Sequence, residues 1–383
     1  MKPITVLLTA ALLAAGLWAC SDDTSSNADA GTDTDTDSDT DTDSDSGTDS
    51  GTDSDTDTDT DTEVFWLSPD DIAFEEVDPP MPGDCIYYGV WGSSGIDSVE
   101  MISPDGLTAG TRFTVNRLWS FGVAHDGVTV AFSSVDPFEE EHWGVTIGDA
   151  IQYTWLLAPD ADPVQITAGN INDECHLFSA DDLTLYLCRR ANFWQEGEGD
   201  TFEFGNDPYR IMTHDLGTAE ETWLSPLVEN VMDIGPAVLP DGDILFWRQG
   251  PGPDFDQGLW RMNGDGSDIS SVLDGATNPV VSPNGDLVAF RQGWSALVIA
   301  PADDLLGGTT IIESDTGNFY GFSFSPDQTR IAYLLGHDGT MCSDLWVADV
   351  DGSGQVMLID CVAEDVFPTG VEWVSIPMPQ LAS

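Results

Sequence analysis

Lysine is almost absent from this chain. Lys2 is the only one, and 383 residues carry 10 Lys+Arg in all against 69 Asp+Glu. From residue 64 onward, 52 acids face nine arginines, a net charge near −43. Phosphate contacts need clustered Lys and Arg, so nucleic-acid binding is excluded. Long apolar runs are missing after residue 18, and nothing later approaches the ~20 residues of a membrane span. No Gly-x-Ser-x-Gly elbow, His-Glu-x-x-His or phosphate loop occurs. The histidines, His125, His142, His176, His214 and His337, never fall two within helical or strand pairing distance. Cysteine is scarce, six in all. Large apolar residues are plentiful, and 320 residues from position 64 can bury a sizeable core, which excludes global disorder.

The chain opens with one basic residue, an apolar run from Ile4 to Trp18, then Ala19 and Cys20. This has the form of a secretion signal and is too short for a spanning helix. Leu17 to Cys20 resembles the bacterial lipobox, which implies Cys20 as the lipidated first residue of the mature protein; an ordinary cleaved signal is the alternative. Ser21 after the cysteine fits sorting to the outer membrane, with lipid as the only membrane contact. Residues 21–63 hold 17 acids, no base, and little besides Asp, Thr and Ser. Nothing there can be buried and like charges repel, so the segment reads as a disordered stalk. A calcium tract would need defined turns, which a uniform Asp-Thr repeat does not supply.

Residues 64–383 contain an imperfect repeat. Five hairpins centre on Asp126, Asp181, Asp241, Asn284 and Asp327, spaced by 55, 60, 43 and 43 residues. Four and six residues past each turn stand large apolar groups, such as Val130 and Phe132, Leu245 and Trp247, or Ile331 and Tyr333. Period two after a tight turn marks buried strands. A second set of hairpins turns at Asp105, Asp160, Asp215, Asp265, Asp303 and Asp351. Six second hairpins and five first ones make six four-stranded blades if one inner strand comes from a chain end. Val371 to Ser375 has the form of that strand and would complete the blade begun by Cys85 to Trp91; Val64 to Pro69 could fill the same place. The expected fold is therefore an all-β, six-bladed β-propeller closed by its termini.

The phrases Ser282 to Phe290, Ser325 to Tyr333 and Leu345 to Ser353 resemble the WD40-like repeats of the TolB-type propeller. The resemblance runs from residue 85 to 375. It implies the fold and leaves function open, since such propellers serve as binding platforms, enzyme domains and sensors.

Cysteines symmetric about a hairpin turn face each other across two strands. Cys175 with Cys188, and Cys342 with Cys361, are thus expected disulfides, leaving Cys85 as a buried thiol. Both turn sets fall on one face of the disc. The connections between second and third strands emerge on the other, and are long at 133–152, 189–208 and 248–258. They carry aromatics and scarce cations: Trp143, Trp194, Phe255, Arg190, Arg248 and Arg291 are the expected binding residues. The competing readings are loops that cover blade edges and arginines that pair with neighbouring acids. His142, beside Glu139, Glu140 and Glu141, is the one hint of a cation site. No cofactor is expected. The surplus of acid points to solubility at high salt or to a cation-loaded surface. The functional expectation is a monomeric, lipid-anchored module of the cell envelope, on the periplasmic or outer surface, that binds a protein or a neutral or cationic extracellular ligand. The alternative is an envelope enzyme acting on polysaccharide or peptide through carboxylates or a cation in the axial funnel.

Overall fold

A computed structural model describes residues 66–92, 95–143, 151–196, 202–204, 207–250, 257–315, 317–337, 342–360 and 367–376. The leader with Cys20, the acidic segment, Phe255 and Cys361 lie outside these residues. Among the described residues no helix is long and apolar enough to cross a membrane.

Strands group into consecutive four-stranded antiparallel units, the first with a fifth strand added and the second and third joined into one sheet by a parallel pair between Gln152 and Asn172. Blade 1 consists of Phe367–Ile376, Gly83–Trp91, Ile96–Ile102 and Ala109–Asn116, with Glu75–Glu76 added at its outer edge. Blade 2 begins at Leu118–Val123, blade 3 at Ile171–Phe178, blade 4 at Met232–Val238, blade 5 at Ala276–Val281 and blade 6 at Phe319–Phe324. Each of these first strands touches the first strand of the next blade, and the blade 6 strand touches Phe367–Ile376. The chain is therefore a β-propeller whose ring is closed by its C-terminal strand. The N-terminal segment, the other contender for the inner place, packs outside. Ile72 is fully buried, and Phe74 joins a run of rings through Phe113 (centroids 5.4 Å) and Phe132 (6.2 Å). Pairing of the C-terminal strand covers the edge that Gly83–Trp91 would otherwise leave open.

The turn face explains the Asp-rich hairpins. Asp126, Asp181, Asp241, Asn284 and Asp327 each accept a backbone N–H two residues ahead through the side-chain oxygen, at 2.7–3.2 Å. Asp105, Asp215, Asp265 and Asp351 do the same in the second hairpins. Local hydroxyl or backbone donors hold the carboxyls of Asp105, Asp181, Asp215, Asp265, Asp327 and Asp351 below the usual range.

One regularity escapes the repeat pattern. Every inner strand slips register by one residue against its second strand: between Leu118 and Phe121, Glu174 and Leu177, Ile234 and Ala237, Thr277 and Val280, Phe319 and Gly321, and Thr369 and Val371. Left-handed backbone occurs in four of these bulges, at Cys175 (φ 59°), Gly235 (61°), Asn278 (54°) and Gly370 (68°). A bulge bends its strand and increases twist, and here it recurs beside the axis in all six blades.

The disulfide between Cys175 and Cys188 is built on this bulge. Cys188 stands opposite Glu174, and Cys175 is the extra residue that reaches it, with a Cα–Cα distance of 5.3 Å. Simple symmetry about the turn would place the two directly opposite. Cys342 is also disulfide-bonded; its expected partner Cys361 is outside the described residues. Cys85 is buried and free, and burial pushes its thiol up to about 12, which makes it inert at neutral pH. Opening the Cys175–Cys188 bridge by Cys188→Ala should cost about 3 kcal/mol, given a loop of 13 residues. The check is a urea midpoint with and without reductant. Equal midpoints for both proteins under both conditions would show that the bridge adds nothing.

Candidate functional site

Inner strands run toward the turn face, so their first residues lie at the loop face, and the scarce arginines gather there. In blade 3, Arg189 stands opposite Asp173 and grips it with both fork atoms, Nε to Oδ1 at 2.6 Å and Nη2 to Oδ2 at 2.8 Å. Its Nη1 donates to Glu221 at 2.6 Å. Burial opposes the charge on Arg189, but the two carboxylates outweigh it and its pKa is raised. Glu221 is lowered to about 2, because hydrogen bonds from His214 and Arg189 overcome its burial. Blade 4 repeats the motif: Arg248 stands opposite Asp233 and binds it at 2.6 and 2.8 Å, with its guanidinium 4.7 Å above the Trp260 ring. Arg291 of blade 5 is 2% exposed. Arg248 and Arg291 are thus internal groups, not exposed contacts: each reaches from the second strand to the inner strand, where Asp233 meets the Arg248 donors, while Arg291 finds Thr277, the Phe319 carbonyl and no acceptor for Nη2.

Arg190 differs. Its guanidinium lies 5.4 Å from the Phe193 ring and 4.7 Å from the Tyr209 ring, and its buried Nε has no acceptor. The Tyr209 hydroxyl sits 2.9 Å from Asn172 Oδ1 and 2.5 Å from Glu174 Oε1. One phenolic proton cannot serve both oxygens. Burial raises Glu174, and a protonated Glu174 can donate to Tyr209 while Tyr209 donates to Asn172. Between Arg190 and Tyr209 the chain leaves the blade as a separate hairpin, Trp194–Glu196 paired with Phe202–Phe204. Phe193 is buried at its base, and Asn192 donates to Asp207 at 3.0 Å across it. Trp194 stands in this hairpin opposite Phe204. Trp143 ends a short helix, Glu139–Trp143, in the corresponding connection of blade 2. In that helix His142 Nδ1 lies 2.6 Å from buried Asp136, an ion-pair position. Among the described residues no group of three or more His, Cys, Asp or Glu side chains is arranged to hold a metal.

Two further features went unread in the sequence. His176, in the blade 3 bulge, has Nδ1 2.9 Å from Ser120 Oγ and Nε2 3.2 Å from Thr154 Oγ1, and Thr154 donates to Asp173 at 3.1 Å. Burial lowers His176 to about 4, so it is neutral and locks blades 2 and 3 together. The same contact demands Gly122, where an added Cβ would come within 2.2 Å of the His176 carbonyl oxygen. The second is Glu372, on the C-terminal inner strand. Burial alone pushes its carboxyl up to about 8. It stands opposite Tyr87 of the second strand and keeps partial solvent access. The Asp–Arg pairs were not legible from hairpin symmetry: the symmetry that relates the cysteines would set Asp173 opposite Arg190, and the bulge shifts it to Arg189. No sequence signal distinguishes Glu372 from 51 other acids of the body.

Solved structures of similar fold include TolB from Acinetobacter baumannii, with 15% identity and a TM-score of 0.53 over 76% of this chain and 66% of that one. Hydrazine synthase of Kuenenia stuttgartiensis gives 10% and 0.54 over 79% and 48%, and a nidogen/laminin complex 10% and 0.53 over 77% and 100%. The chain spans just under two thirds of that TolB chain and about half of the hydrazine synthase chain. No protein-family model and no curated protein matches. Similarity at this level establishes a TolB-like β-propeller fold.

Proposed function

We propose that this chain is a lipid-anchored β-propeller of the cell envelope that works by non-covalent recognition at its loop face. The observation that carries the reading is the blade 3 hairpin. It is an insertion that the blade does not need, it follows directly on Phe193, whose ring lies under the Arg190 guanidinium together with that of Tyr209, and it places Trp194 and two phenylalanines in one short two-stranded ribbon. Aromatic residues on a rigidly seated element lose little entropy on binding. The lipobox-like end at Cys20 and the acidic stalk supply the address, the outer membrane, and the spacer. The acidic body repels net anions at long range, so the ligand is a protein or a neutral or cationic extracellular molecule.

The test is recovery of a partner from envelope fractions with the whole protein, against a variant in which residues 195–203 are replaced by two glycines. The expected result is loss of the partner with an unchanged melting temperature, and Cys20→Ser should move the protein to the soluble fraction. Equal recovery by both proteins would remove the hairpin from the site.

A second reading, an envelope hydrolase or lyase, is favoured by Glu372 alone. A carboxyl held protonated near neutral pH is what a general acid requires.

A further inference from the structure

Blades 3 and 4 pair a second-strand arginine with an inner-strand aspartate, using Nε and Nη2 each time. Blade 5 keeps the arginine and lacks the acid. Thr277 occupies the register position opposite Arg291 that Asp173 and Asp233 hold in their own blades. Arg291 Nε donates to Thr277 Oγ1 at 3.0 Å and Nη1 to the Phe319 carbonyl at 2.9 Å, while Nη2 is buried without an acceptor. Burial pushes the Arg291 pKa down to about 10, as befits a cation with no carboxylate beside it. Stacking is no substitute for the acid: Trp294 lies 4.3 Å from the Arg291 guanidinium, but Arg248 has both Trp260 and Asp233. A water molecule would meet the hydrogen bond and leave the charge unopposed.

We infer that Arg291 Nη2, the donor left buried without an acceptor, is a binding subsite for the carboxylate of a ligand that enters from the loop face past Trp294. The ligand's carboxylate supplies the countercharge that Asp173 and Asp233 supply within blades 3 and 4, accepting from Nη2 beside Thr277. Trp294 is half-buried on the short connection between Gln292 and Ala296, so its ring is the group that must move aside. Repulsion from the acidic body is screened beyond about 8 Å at physiological ionic strength, whereas the buried contact is not. A ligand that is neutral or cationic overall and carries one carboxylate satisfies both conditions. This subsite stands on a different blade from the recognition hairpin, so either can fail alone.

The experiment is thermal denaturation of the whole protein in sodium acetate, against acetamide with sodium chloride at equal ionic strength. Two sources of the carboxylate are then separated: glucuronate, and N-acetyl-diglycine against its amide. Saturating carboxylate should raise the wild-type melting temperature by about 2–5 °C, and the neutral amides should not. Thr277→Asp restores the internal acid, so it should melt higher than wild type and lose the response. Arg291→Met should also lose it, which keeps the test decisive should the aspartate variant fold poorly. A response to glucuronate or to the peptide acid supports the subsite and names the source. No response of the wild type to any of the carboxylates, or an equal response in Arg291→Met, would overturn it.

Discussion

Asp173→Ala is expected to lower the stability of the propeller by about 3–5 kcal/mol, the range for removing one partner of a buried ion pair. Asp173 is wholly buried and accepts three hydrogen bonds, two from Arg189 and one from Thr154. Without it Arg189, itself 4% exposed, keeps only Glu221, which stands partly in solvent. The Thr154 to His176 link between blades 2 and 3 also loses its anchor. Replacing both partners, Asp173→Leu with Arg189→Met, should cost much less, because no charge is left stranded. Asp233→Ala in blade 4 should cost less than Asp173→Ala, since the Arg248 side chain keeps 14% exposure and the Trp260 face. Urea midpoints of the four proteins decide this. A loss below about 1 kcal/mol for Asp173→Ala would mean that the pair merely sits in the fold without holding it.

The stability of wild type relative to Glu372→Gln should fall as pH rises from about 4.3 to about 8 and stay level above that. The folded carboxyl titrates at about 8, against an ordinary value near 4.3 for the unfolded chain. Between those values the folded state holds a proton that the unfolded state has released, so raising the pH favours unfolding. Each unit of displacement is worth about 1.4 kcal/mol, and the partial exposure of Glu372 reduces it, so Glu372→Gln should gain about 2–3 kcal/mol on wild type between pH 5 and pH 8.5. Taking the difference between the two proteins cancels the titration of all other acids. Parallel curves would show that Glu372 ionises freely. If the chain is a hydrolase or lyase after all, its pH–rate profile should carry a falling limb near 8 that Glu372→Gln removes.

The blade pattern was readable in the sequence for a local reason. An apolar strand, an Asp or Asn turn and a second strand of period two are decided within about ten residues, by side chains bonding their own backbone. Asp126, Asp241 and Asp327 make those bonds, and ring closure by Val371 to Ser375 was one of two arrangements the termini allowed. The cysteine pair Cys175 and Cys188 came from the same hairpin symmetry, although the bulge that brings them together did not. Arg248 and Arg291 show where that kind of reading stops. Sequence places a scarce cation at one depth in successive blades, but whether it faces solvent depends on the residue across the strand and on how closely the next blade packs. Asp233 and Thr277 are 15 and 14 residues from their arginines, and the Phe319 carbonyl that Arg291 binds belongs to another blade.

Composition and periodicity by themselves determined a strongly acidic chain with a large β core, the propeller and the hairpin turns, because charge, apolar spacing and turn chemistry act over short distances. Tertiary structure alone decided which terminus fills the inner strand, the bulge in every blade, the raised carboxyl of Glu372 and the lone guanidinium of Arg291. Those follow from packing six inner strands around one axis, where desolvation of a charge is set by neighbours far away in the chain.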